Sequence, residues 1–427
     1  MLATLLLGIL IILMFSGIPL FAFMGGISLV SFYFIADVSS AAIFSEAYRL
    51  ASAPAVIALP LFTFAGFLLA ESKAPIRMVN LSRAFLGWLP GGLSIVALVS
   101  CAVFTALTGA SGVTIIAVGG ILYTAMQNDR YPDKFSMGLI TTSGSLGLLF
   151  PPSLPIIIYG MVASASVDKL FVAGILPGIL LMVLLAIYSI IFTSKQEKIV
   201  QEKTSLAVMW SSFKNAAWEI PLPIIILGGI YGGIFTASEA AAVTAFYVAL
   251  VEIFIKRDIK LRQLPRLMRE SMILIGGILI ILSTALGFTN FLVDQQVPMK
   301  LFAAIKTHIT SHLTFLLALN GFLIIVGCLM DIFSALIIVV PIILPIAQFY
   351  GVDPIHLGII FLLNLEIGYS TPPVGVNLFI SSFRFKKSIP YLWRSVAPFL
   401  IIYVITLIIV TYIPAISLKL LEFSKAR

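Results

Sequence analysis

Long stretches of this chain carry no charged residue. Asp, Glu, Lys and Arg are absent from Ala84 to Asn128, from Phe135 to Val167, from Leu170 to Ser194 and from Ser395 to Leu418. A helix needs about 20 apolar residues to cross the hydrocarbon core of a bilayer. Each run is long enough for one crossing, and the first for two. The pattern predicts an all-α, polytopic membrane protein.

Composition agrees. Of the 427 residues, 60% are hydrophobic and 10% charged, against roughly a quarter charged in a soluble domain. The net charge of +8 does not point to nucleic acid, because the basic residues sit in short loops between apolar runs, where they orient the chain. Two cysteines inside apolar runs and three histidines give neither a disulfide framework nor a zinc-type cluster. The first 35 residues lack a basic start and a clear cleavage site. They are expected to stay as two short helices, broken near Ser16-Gly17-Ile18-Pro19.

Loop charge sets the topology. The loop Lys256–Glu270 holds six basic residues against two acids and belongs in the cytoplasm. So do the loop with Arg384, Lys386, Lys387 and Arg394, the loop 71–83, and the lysine-rich stretch 194–219. The turns at Asp168 and Thr236–Glu239 fit outside. With 88–127 and 313–350 each going in and coming back, the crossings close, and both termini fall in the periplasm. The basic tail (Lys419, Lys425, Arg427) runs against that placement.

The halves 1–219 and 220–427 correspond at an offset of 221 residues. Gly66-Phe67 matches Gly287-Phe288, and Pro151-Pro152 matches Pro372-Pro373. Five crossings separate the two-legged runs. An odd number makes them open to opposite sides, as in the inverted repeats of secondary transporters.

Four segments break the apolar pattern with small polar residues: Thr105–Gly112, Ser143–Ser153, Gly327–Ser334 and Gly368–Gly375. Proline pairs leave carbonyls without helical partners, which is costly at membrane depth unless something meets them. A hard cation such as sodium can do so, with Ser and Thr hydroxyls completing the oxygen shell. Helix N-termini at the same breaks offer N–H groups to an anion. Ordinary kinks and turns are the plain alternative. Full helical pairs in place of re-entrant hairpins also stay open.

Asp331 is the one acid at a hairpin midpoint, and an acid at membrane depth is a functional candidate, for sodium or for a proton. Pairing with a neighbouring helix is its structural alternative. Glu366, on the second broken segment, suits an ion site or a helix cap. Glu239 is expected to start a helix. His308 and His312, four apart, read as structural residues of one interfacial helix face. An intramembrane hydrolase using Ser143, Ser145 or Ser153 lacks a base nearby, so no enzyme activity is expected.

Thr108-Gly-Ala-Ser-Gly-Val-Thr114, Thr141-Thr-Ser-Gly-Ser-Leu-Gly-Leu-Leu-Phe-Pro-Pro-Ser-Leu-Pro155 and Tyr369-Ser-Thr-Pro-Pro-Val-Gly375 resemble the large membrane subunit of the tripartite ATP-independent periplasmic (TRAP) transporters. One departure is Thr124, where proline is expected. The resemblance implies two re-entrant hairpins (88–127, 313–350) and two broken helices (136–165, 355–382) in an elevator-type fold of the bacterial inner membrane. It implies sodium-coupled import of an organic acid, sialic acid first or a C4-dicarboxylate. The implied partners are a small four-helix membrane subunit and a soluble periplasmic binding protein. One sodium would sit among Thr108, Gly109, Ser111, Gly144, Ser145 and Pro151. A second would sit among Gly327, Asp331, Ser370, Thr371 and Gly375. Substrate would lie between the tips, near Thr108, Ser111, Ser153, Asp331 and Ser334. Proton-coupled transport through Asp331 or Glu366 is the alternative.

Overall fold

The computed structural model describes residues 20–34, 45, 48, 50–196, 205–296, 299–300, 306, 309 and 311–424. The expected break at Ser16–Pro19, the tail residues Lys425 and Arg427, and His308 lie outside these residues. All regular structure among them is helical. Among the described residues six helices are long and apolar enough to cross a membrane, or up to eight if each bent pair counts as one span.

One group of helices packs together: α1 (Leu20–Phe34), α2 (Pro54–Glu71), α11 (Ala237–Ile255) and α12 (Leu264–Asp294). Helix α2 packs along α11 and α12, and α12 along α1. These helices bury Ala58, Phe62, Ala241 and Leu282 against one another and leave Ile57, Phe246, Ile273 and Ile280 exposed. Large apolar side chains facing outward are what a lipid solvent requires.

Residues 71–83, expected as a loop, are mostly helical: α3 (Ala74–Leu86) follows α2 across a 75° bend. Pro75 suits a first helical turn. Val79 and Ala84 are buried while Arg77 and Arg83 reach acids. The spacing is that of an amphipathic helix, which loop-charge reasoning does not distinguish from a coil. The loop at 256–270 is likewise shorter than expected, because α12 begins at Leu264 and carries Arg266 and Arg269 on its first turns. In the stretch 194–219, Leu206–Asn215 forms a surface helix (α9) with no buried residue and Trp210 stacked on Phe213.

The remaining helices build the core. The first hairpin has legs α4 (Gly92–Thr108) and α5 (111–128, with a wider π turn at Ile115–Gly119). The first broken helix is α6 (Asp133–Ser143), a 3-10 turn (Leu146–Leu149) and α7 (Leu154–Val162). Helix α8 (Val167–Ser194) and the short α10 (Pro221–Tyr231) follow. The second hairpin has legs α13 (His312–Leu329) and α14 (Ile332–Phe349). The second broken helix is α15 (Pro354–Tyr369) and α16 (Val376–Phe385); α17 (Ile389–Tyr412) and α18 (Ala415–Ser424) close the chain. His312 thus opens a hairpin leg and does not lie on an interfacial helix; its Nδ1 meets the Tyr350 carbonyl oxygen.

The halves exchange partners in the same way. Helix α7, the far half of the first broken helix, packs on α14 of the second hairpin. Helix α16, the far half of the second, packs on α5 of the first. Glu239 caps α11 in a capping box with Thr236, as its position suggests.

Candidate transport site

The first hairpin turns inside the helical body, not at a surface. Gly109 ends α4 with φ +68°, a left-handed conformation that favours glycine. A Cβ there would meet the Leu154 side chain at 2.4 Å. A Cβ on Gly66 of α2 would lie 2.7 Å from the Thr108 Cα, so α2 passes directly over the tip. Thr108 and Ser111 are 4% and 5% exposed. Thr105, one turn before the tip, donates its hydroxyl to the Gly144 carbonyl at 2.7 Å and lies 2.6 Å from the Thr114 hydroxyl. The structure therefore brings tip one to break one. Within the break, Ser145 donates to the Thr142 carbonyl at 3.2 Å, whereas the fully buried Ser153 hydroxyl has no protein partner. Pro151 is buried beside it.

The second tip meets the second break by an equivalent contact. Gly147 of break one lies so close to α4 that a Cβ would fall 2.3 Å from the Ala102 oxygen and 2.5 Å from the Ala106 nitrogen. Gly368, 221 residues on (147 + 221), lies so close to α13 that a Cβ would fall 2.3 Å from the Gly327 carbonyl carbon. Val374 donates its N–H to the Cys328 carbonyl at 3.2 Å, and the Ile332 N–H donates to the Tyr369 phenol oxygen. Ser370 is buried with no partner for its hydroxyl, while Thr371 donates to the Ile367 carbonyl. Gly375 begins α16 with φ +55°.

Asp331 is the N-cap of α14. Its Oδ1 accepts from the Phe333 and Ser334 N–H groups at 3.0 Å each, and the Ser334 hydroxyl donates to Oδ2. The carboxylate is exposed, not sealed in the core. Ser334 is committed to that cap.

The two half-sites are joined through a residue that the sequence reading did not single out. Ser111 donates to Oδ1 of Asn377 on α16 at 2.8 Å, and Asn377 is fully buried with its Nδ2 unpartnered. Its only signal was a lone amide in an apolar run just after the second proline pair.

Comparison with known proteins decides the family. The pattern of the family described as "Tripartite ATP-independent periplasmic transporter, DctM component" matches residues 7–416. The chain belongs to the DctM component family. Among relatives, a C4-dicarboxylate TRAP transporter large permease protein DctM of Pseudomonas aeruginosa is 39% identical over 86% of each chain. An isethionate TRAP transporter permease protein DctMQ of Oleidesulfovibrio alaskensis is 36% identical over 85% of this chain and 57% of its own length. In fold, a YdaH transporter of Alcanivorax borkumensis superposes with a TM-score of 0.60 at 12% identity, over 88% of each chain. As a DctM component, the chain is a multi-pass transport permease subunit.

Proposed function

We propose that this DctM component imports an organic acid across the bacterial inner membrane, coupled to sodium. A small four-helix membrane subunit and a soluble periplasmic binding protein would work with it. The carrying observation is that each hairpin meets the break of its own repeat through the same glycine contact, and each break holds a buried hydroxyl, Ser153 or Ser370, with no protein partner. A buried hydroxyl without a partner costs free energy unless a ligand supplies one. Sodium fits, because hydroxyl and freed carbonyl oxygens alike can coordinate a hard cation.

The proposed ion ligands are Thr108, Gly109, Ser111, Gly144, Ser145 and Pro151 at the first half-site. At the second they are Gly327, Asp331, Ser370, Thr371 and Gly375. The helix starts following Ala110, Ser153 and Gly375 carry no side-chain cap. Their N–H groups and positive dipole ends suit a carboxylate, with Thr108, Ser111, Ser153, Asp331 and Ser334 nearest to it. The relatives' names carry small organic anions, a dicarboxylate and a sulfonate; sialic acid falls in the same charge class. We read the halves 1–219 and 220–427 as inverted repeats. The hairpins and broken helices would slide as an elevator against α1, α2, α11 and α12.

The test is uptake into vesicles holding the permease, the small subunit and the binding protein. Labelled succinate and sialic acid are offered with and without an inward sodium gradient. Sodium-dependent uptake of one acid, lost in the double variant S153A/S370A, is expected. Uptake that follows a pH gradient and ignores sodium would defeat the coupling assignment.

A further inference from the structure

Of the buried acids outside the proposed site, Glu219 and Glu252 are paired with Arg77 and Glu366 has no partner. Glu366 lies on α15, whose side chains from His356 to Tyr369 are all buried. It is 1% exposed, and neither carboxylate oxygen has a hydrogen-bond partner. Of the elements packed on α15 (α7, α8, α13, α14, α16, α17, α18 and the 3-10 turn), one brings a titratable group near its carboxyl. That group is the phenol of Tyr403 on α17. No cation faces it among the described residues. Tyr403 itself donates to the Thr142 carbonyl at 2.8 Å, beside break one.

The repeat sharpens the oddity. At the offset of 221, Glu366 corresponds to Ser145 (145 + 221), the hydroxyl of the first break. One repeat places a neutral donor here and the other an acid. An ionised carboxylate without a partner is not tolerated in an apolar interior; the group neutralises instead. A proton is the ligand that satisfies these surroundings with no further protein atom.

We propose that Glu366 is a proton-binding site of the carrier, filled while α15 is packed as described. The inference rests on the transport reading, because it takes α15 to be part of the moving core. Movement that opens the Glu366 flank to water lets the proton leave, so the carrier handles a proton beside its metal ion. In the described packing, acid pH keeps the site filled. Alkaline pH empties it and leaves an unpaired charge that loosens the packing.

The test is infrared spectroscopy of the full chain in lipid, wild type against Glu366→Gln, titrated from neutral to alkaline pH. The expected result is a protonated-carboxyl band in the wild type that is missing from Glu366→Gln. Thermal stability should fall in the wild type over the pH range where the band disappears and stay level in the variant. No band difference at neutral pH overturns the proposal, whether the carboxylate is bare or holds sodium. Failure of Glu366→Gln to fold also overturns it, because the amide is isosteric with the protonated acid. Stabilisation of the same samples by added sodium is a separate readout. Its absence counts against the sodium reading and leaves the band unaffected.

Discussion

The two hairpin tips share a plan and differ in surroundings. Tip one is enclosed: α2 crosses it at Gly66, Leu154 fills the space at Gly109, and Ser111 is tied to Asn377. Tip two reaches the surface of the chain. Leu329 is 55% exposed, Asp331 is exposed, and Val374 of the facing break is 39% exposed. The contact between tip and break, Gly147 on α4 or Gly368 on α13, is the same in both. What repeats is therefore the joint, and what varies is the cover. In the proposed cycle this is the expected division, since a carrier keeps its joints and exchanges the cover over each half-site.

The base of the first hairpin is held by an ion cluster. Helix α3 leads into α4, and Arg77 on α3 donates to Glu252 at 3.0 Å and to Glu219 and Asp258. One guanidinium holds three acids from two stretches of the chain, Glu219 from one and Glu252 and Asp258 from the other. Removing one partner of a buried ion cluster costs about 3–5 kcal/mol, because the acids are left uncompensated. Arg77→Ala should therefore show the largest loss of thermal stability among the variants proposed here. If tip one closes because its base is clamped, Ser111→Cys should also gain reactivity toward a small thiol reagent in that background. Stability lost without any gain in labelling would separate the clamp from the cover.

The same cluster gives a pH dependence. Burial raises the Asp258 carboxyl, but the hydrogen bonds from Arg77 and the Lys73 N–H outweigh it and hold it below the usual carboxylate range. A depressed carboxylate stabilises the fold above its unfolded value, about pH 3.9. That contribution is lost as pH falls through the lower folded value. Wild type should lose it on strong acidification, as read by thermal melts across the acid range. Asp258→Asn should show a flatter acid limb.

The joints come next in size. A methyl group at Gly147 or Gly368 meets backbone, which cannot rotate away. Overpacking of this kind costs roughly 1–3 kcal/mol. Gly147→Ala and Gly368→Ala should each lower the melting temperature, and Gly276→Ala, with nothing within 4 Å of the added carbon, should not. Similar losses at 147 and 368 would support a common joint. A loss at 147 alone would show that the open half-site tolerates separation, and the likeness of the two joints would then be geometric only.

How much of this was legible beforehand follows from the range of each interaction. The hairpins and breaks were readable because Gly, Pro, Ser and Thr act on their own backbone within a few residues. The Thr236–Glu239 cap was readable for the same reason. Helix α3 was not, because Arg77 and Arg83 look like loop charges until the acids they reach are known, and those lie far along the chain. The Ser111–Asn377 bond joins residues 266 apart, and no local pattern signals it. Asp331 was visible as an unusual acid, but its use as a cap depends on where α14 begins, which a run of apolar residues does not mark.

The smallest effect proposed concerns that acid, and it separates two roles that the open tip superimposes. As N-cap of α14, Asp331 accepts two backbone N–H bonds. Replacing such a cap by alanine costs about 0.5–2 kcal/mol, and serine keeps most of it. Asp331→Ala should therefore lower thermal stability modestly and Asp331→Ser much less. If the carboxylate also holds sodium, both variants lose sodium-dependent uptake, since serine restores the cap but not the charge. If it only caps, Asp331→Ser transports like wild type. Rescue by serine would move the second cation away from the exposed tip toward Ser370 and the carbonyls of the break. The two half-sites would then be alike in chemistry, each built on a buried hydroxyl, and different only in cover.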